Sequence, residues 1–213
     1  MRTIMVLNPK GGCGKTTVAT NLASHYANRG LTTALADYDP QRSSLDWLAL
    51  RPAERPPIQG IAAYEDGLRA VGRGIDMLII DAPARSHGAE ITELVRRADT
   101  VLVPVLPSPV DIFAVQHFVD ELHHVGKIER KEAKVGLIAN RVRDTTLIAH
   151  DLGIFLNRLR LPIVGRLREA QNYIRAFARG LGIVELPPYL ALPDVRQWED
   201  VTGWLDSRQA MPS

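Results

Sequence analysis

The chain has 213 residues, 46% of them hydrophobic, and a formal net charge of +2. That is enough apolar content for one domain with a substantial core, spanning 1–213, and too little charge for the whole chain to act as a general polyanion binder. No apolar stretch approaches the ~20 residues needed to cross a bilayer. A single cysteine, Cys13, leaves no partner for an internal disulfide and fits a reducing, cytoplasmic setting.

The first strand is predicted over 3–8, around the apolar run Ile4-Met5-Val6-Leu7, and its early start leaves no expected room for a signal peptide. Next comes Lys10-Gly11-Gly12-Cys13-Gly14-Lys15-Thr16-Thr17. It opens a helix predicted over 15–29, with Val18, Ala19, Leu22, Ala23 and Tyr26 on one face. Strand, glycine-rich loop and helix in that order form the context of a phosphate-binding loop. Glycines let backbone N–H groups turn toward phosphate, and the helix N-terminus adds positive potential at the same point. Lys15 can reach the β and γ phosphates of a nucleotide, and the Thr16 hydroxyl can hold Mg²⁺.

Further strands are predicted near 32–36, 76–80, 100–105, 134–139 and 161–165, and helices over 41–50, 64–72, 88–98, 109–126, 145–159 and 167–180. This alternation predicts an α/β fold: one twisted, mainly parallel sheet with helices on both faces, doubly wound. The segments 51–57 and Pro187-Pro188 read as exposed loops. Near the C-terminus, Trp198, Val201, Trp204 and Leu205 can share a helical face. Membrane-surface helices carry Lys and Arg opposite their apolar face, whereas here Glu199, Asp200 and Asp206 outnumber Arg196 and Arg208. A helix docked on the body is the expectation, and no membrane partner is expected.

Asp37-Tyr38-Asp39-Pro40-Gln41 follows the second apolar run, and Asp81 ends the run Leu78-Ile79-Ile80. A carboxylate at the end of a buried strand can hold a metal through water; otherwise Asp81 is a helix cap or a loop acid. His117 and His124, seven residues apart, lack companion ligands for a metal cluster. Cys13 in the loop either has its thiol activated by nearby lysines and the helix N-terminus or is simply a small residue that fits.

Lys10 inside the loop, together with the Asp37–Gln41 segment, gives a chain that closely resembles the ParA/MinD family of deviant Walker A ATPases. The resemblance extends to Leu78–Pro83 and to Val103–Pro109, with a weaker match at Ile138–Arg141. It implies an ATP-dependent, Mg²⁺-dependent, slow and partner-stimulated ATPase. Lys10, Lys15 and Asp39 would be its catalytic residues, with Lys10 reaching the nucleotide of the opposite subunit and Asp39 orienting water. Gly11, Gly12, Cys13, Gly14, Lys15, Thr16 and Thr17 would bind the phosphates. Asn140 and Arg141 would contact the base, with the Pro187 loop on its other side. Thr16, Asp39 and Asp81 would hold the metal, the aspartates through water, and Asp37 would support the switch loop.

Charge is distributed unevenly. Residues 127–179 hold twelve Lys and Arg against five Asp and Glu. Such a bias marks either an anionic partner or a solvated face. With the resemblance, it points to nonspecific DNA bound through Arg166, Arg168, Arg175 and Arg179, the last two sharing a face at i,i+4 on the helix predicted over 167–180. The implied protein is a homodimer when ATP-bound and associates with the nucleoid. It positions a plasmid, carboxysome or similar cargo through an adaptor, ParB-like or cargo-specific. The alternative is a MinD-like membrane-cycling regulator of division. A nitrogenase-iron-protein relative would need cluster cysteines that Cys13 alone cannot supply.

Overall fold

The computed structural model describes residues 1–84, 86–143 and 145–212. Seven strands form one sheet: β1 (Arg2–Val6), β2 (Thr33–Asp37), β3 (Ile58–Ala62), β4 (Met77–Asp81), β5 (Thr100–Val105), β6 (Lys134–Val142) and β7 (Ile163–Arg168). Their order is β3-β2-β4-β1-β5-β6-β7, and every neighbouring pair is parallel. The central strands are apolar without alternation because both of their faces are covered. Ile4, Met5 and Val6 in β1, like Leu78, Ile79 and Ile80 in β4, have no solvent exposure.

Alternate side chains feed two cores. On one face Ile4, Val6, Leu35 and Ile79 pack with Val18 and Leu22 of α1 (Lys15–Asn28) and Trp47 of α2 (Ser43–Ala49). Ala176 of α8 (Gln171–Phe177) and Trp198, Val201 and Leu205 of α9 (Pro188–Asp206) complete that layer. On the other face Met5, Leu78 and Ile80 meet α4 (Ala89–Val95), α5 (Pro109–His123) and α7 (Leu147–Arg158) through Ile91, Phe118 and Leu152. The apolar side of α9 is therefore buried within the body, as its acidic polar side predicted. Among the described residues, no helix is long and apolar enough to cross a membrane.

Three departures from the predicted elements have local causes. The edge strand β3 escapes the pattern because Gln59 and Gly60 are exposed and only Ile58 and Ile61 point inward. The helix expected over 64–72 is reduced to α3 (Ala63–Asp66), stopped by Gly67 at φ +64°. β7 runs through Arg168 and α8 ends at Phe177, so Arg175 is helical but Arg179 falls in the following turn, which Gly180 closes at φ +64°. The helix thus ends between the two arginines, and both are exposed.

Candidate nucleotide site

The glycine-rich loop leaves β1 at the carboxyl ends of the strands, where the chain order of the sheet reverses and ligands collect in such folds. Asn8 anchors it. Its side-chain amide donates to the Pro104 carbonyl of β5 at 2.8 Å, and its oxygen accepts from the Lys10 N–H at 2.9 Å. Gly12 at φ +77° and Gly14 at φ +93° take left-handed conformations that a side chain would strain. The Lys15 ammonium spans the loop and donates to the Lys10 carbonyl at 3.2 Å. Cys13 is fully buried with its thiol donating to the same carbonyl at 3.3 Å, and burial pushes that thiol up. Here the cysteine is the small residue that fits, not an activated nucleophile.

Two acids stand side by side in register, Asp37 at the end of β2 and Asp81 at the end of β4. Asp37 is wholly buried. It accepts from the Asp39 N–H at 2.9 Å, the Ser44 N–H at 3.0 Å, the Ser44 hydroxyl at 2.7 Å and the Leu45 N–H at 3.3 Å. It therefore fastens the start of α2 and shapes the loop that carries Asp39. Asp81 is different. Burial first, then the nearby carboxylates of Asp37 and Asp39, push it up to about 7, against a hydrogen bond from Thr16 and the charge of Lys15. Its Oδ1 is buried with no partner among the described residues. An orphaned carboxylate oxygen beside a threonine hydroxyl fits a hydrated cation. Asp39 is half-buried, accepts from the Gln41 N–H at 3.0 Å, and faces a cavity of about 520 Å³ that it shares with Lys15, Thr16 and Asp81.

A second cavity of about 750 Å³ also reaches Gly12, Gly14, Thr16 and Thr17 and runs on past Asn140 and Arg141. Its far wall is Tyr173, Ile174 and Phe177 of α8. Asn140 donates through Nδ2 to the Cys13 carbonyl at 2.8 Å. Arg141, at φ +54°, pairs with Glu169 at 2.9 Å, and Arg143 holds the other oxygen of the same carboxylate. Pro187, expected beside the base, lines neither of these two cavities. The segment before it is drawn across α1 instead, with the Ile183 N–H donating to Asn21 at 2.7 Å. The apolar residues at 173, 174 and 177 were the sequence signal for this wall, obscured by the arginines around them.

The arginine set also divides. Arg168, expected in a DNA-binding patch, is bound through two nitrogens to the fully buried Asp194 while its side chain stays part-exposed at the edge of the larger cavity. Arg166, Arg175 and Arg179 are exposed. Lys10 lines neither cavity of its own chain.

A glycine loop that delivers a lysine and a threonine to the carboxyl ends of a parallel sheet, with strand-end acids facing them, defines a P-loop nucleotide-binding protein. The chain belongs to the CobQ/CobB/MinD/ParA nucleotide binding domain family, which matches residues 4–183. It is 28% identical over 194 residues to "Maintenance of carboxysome distribution protein A" of Halothiobacillus neapolitanus, covering 86% of this chain and 87% of that protein. Over 138 residues it is 30% identical to the chromosome-partitioning ATPase Soj of Thermus thermophilus, covering 49% of this chain and 55% of that one. Among solved structures, MinD of Aquifex aeolicus superposes with a TM-score of 0.76 at 19% identity, covering 96% of this chain and 97% of that one. The ATP complex of Cyanothece McdA gives 0.75 at 17%, covering 95% and 96%. At these identities the superpositions speak for the fold.

Proposed function

We propose that this protein is an ATP-switched positioning ATPase that dimerises with ATP, binds nonspecific DNA of the nucleoid in that state, and places an intracellular cargo through an adaptor that stimulates hydrolysis. The observation that carries the reading is the near full-length similarity to a carboxysome distribution protein, which makes a carboxysome-like cargo the first to test. Phosphoryl transfer needs charge neutralisation and a placed water more than covalent chemistry. Lys15, deep in the loop, supplies a cation to the phosphates. Thr16 and Asp81 would hold Mg²⁺, which offsets phosphate charge when bound. Asp39 shares that cavity on a loop fixed by Asp37, and from there its carboxylate would accept a hydrogen bond from the attacking water. An ionised carboxylate is a weak base, so turnover is slow, as suits a timer. Lys10, which lines neither of the two cavities described, would reach the partner's phosphates and make dimerisation depend on ATP.

In the dimer, two faces carrying Arg175 and Arg179 would act together on one DNA, so that ATP binding raises DNA affinity by avidity. The apolar face of α9 is spent on the core, which favours a DNA matrix over a membrane one. Gel retardation of arbitrary-sequence DNA tests this, with light scattering on the same samples. Wild type with ATP and Mg²⁺ retards DNA, protein with ADP does not, and rising salt weakens the complex steeply. Charge reversal at Arg175 and Arg179 abolishes retardation and leaves the dimer intact. Absence of ATP-dependent retardation by wild type at low salt would reject the nucleoid reading.

A further inference from the structure

Asn140 stands at the end of β6 facing the nucleotide cavity, where a purine contact would be the obvious role. One donor of its amide already serves the protein itself. Nδ2 donates to the Cys13 carbonyl at 2.8 Å, and the side chain is only 6% exposed. The fit extends to the next residue: a Cβ built on Gly14 would lie 2.3 Å from the same Nδ2. The left-handed Gly14 thus leaves the space that Asn140 fills. In a trans peptide the N–H points opposite to the C=O. Drawing the Cys13 carbonyl toward Asn140 therefore turns the Gly14 N–H the other way. A carbonyl aimed at a phosphate would repel it, whereas an N–H would bind it.

We infer that Asn140 is a positioning residue of the phosphate loop: it holds the Cys13–Gly14 peptide in the orientation that presents the Gly14 N–H to bound phosphate. The inference rests on the nucleotide reading of this cavity. It makes the loop's geometry depend on a side chain 127 residues away, at the end of a strand that is not adjacent to β1.

The test is calorimetric titration of wild type, Asn140→Ala and Asn140→Asp with ATP, GTP and inorganic tripolyphosphate at constant Mg²⁺. A lost loop anchor weakens all three ligands, the base-free tripolyphosphate included, by about tenfold for a buried hydrogen bond. The aspartate variant keeps the shape but cannot donate, and its charge faces the Cys13 carbonyl, so it loses at least as much as the alanine variant. A loss confined to ATP, with tripolyphosphate unchanged, would make Asn140 a base reader and overturn the inference; no loss for any ligand would also overturn it. A measurement on wild type stands whether or not the variants fold. The Asn140 side-chain amide protons should exchange slowly in nucleotide-free protein, and fast exchange that slows only with ATP would refute the anchor. If wild type bound none of the three ligands, the nucleotide reading itself would fall, an outcome distinct from a base-selective loss in the variants.

Discussion

Glutamine at position 185 should destabilise the protein severely while leaving its nucleotide cavity intact. Glu185 accepts four hydrogen bonds, two from Arg51 at 2.7 and 2.9 Å, one from Asn28 at 2.8 Å and one from the Gly182 N–H at 2.8 Å. The side chains of the pair are 4% and 0% exposed. Arg51 in turn donates to the Pro56 and Gly180 carbonyls and lies over the Trp47 ring. Glu185→Gln removes the charge but not the volume, and leaves the Arg51 cation buried without its counter-charge. Breaking such a pair costs about 3–5 kcal/mol, and in a chain of this size that lowers the melting temperature by about 10 °C. Burial alone would raise the Glu185 pKa, but the bonds from Arg51, Asn28 and the Gly182 N–H outweigh it and hold it below the usual carboxylate value. The stabilisation is therefore complete above the unfolded-state pKa of about 4.3 and is lost as pH falls through the lower folded-state value. Urea unfolding followed by circular dichroism at pH 7 and at stepped lower pH reads both effects. Wild type should lose stability through the acid range more steeply than Glu185→Gln. Replacing Arg51 and Glu185 together by methionine should cost less than the sum of the single changes, since no lone charge remains. A loss under about 1 kcal/mol at pH 7, or identical acid slopes, would refute this account of the pair.

Lys15→Ala should lose nucleotide affinity by about a hundredfold, the cost of one or two charge-assisted bonds to phosphate, measured by calorimetry. Lys10→Ala should keep binding as a monomer yet fail to dimerise with ATP in light scattering. Asp37→Ala and Asp39→Ala should separate cleanly. The first strips the buried Ser44 N–H and hydroxyl and the part-buried Asp39 and Leu45 N–H groups of their acceptor and costs about 3 kcal/mol in denaturant titration. The second stays within about 0.5 kcal/mol of wild type but hydrolyses ATP at least tenfold more slowly.

The phosphate loop was legible in the sequence because its determinants are contiguous. Glycines at 12 and 14 permit the positive φ the loop takes, and a helix begins at Lys15, all within a few consecutive residues. The parallel sheet was legible for a related reason: strands buried on both faces are written as unbroken apolar runs, as at Leu78–Ile80. The edge strand β3 and the shortened α3 were not, since a half-exposed edge lacks the apolar pattern and a four-residue helix lacks room for a period. Charge identity alone could not tell Arg168 from Arg175. One is committed to Asp194, 26 residues on, and the other faces solvent, a distinction made only when β7 and α9 pack together. The same holds for Asp37 and Asp39, equal in sequence and unequal once Ser44 turns back to cap on the first. Arg51 and Glu185, 134 residues apart, and Asn140 against Cys13, 127 apart, carry no local mark at all. Backbone conformation is set by neighbours within a few residues, whereas the partner of a polar side chain is set by which distant segment desolvates it. The first is written along the chain, and the second exists only in the folded protein.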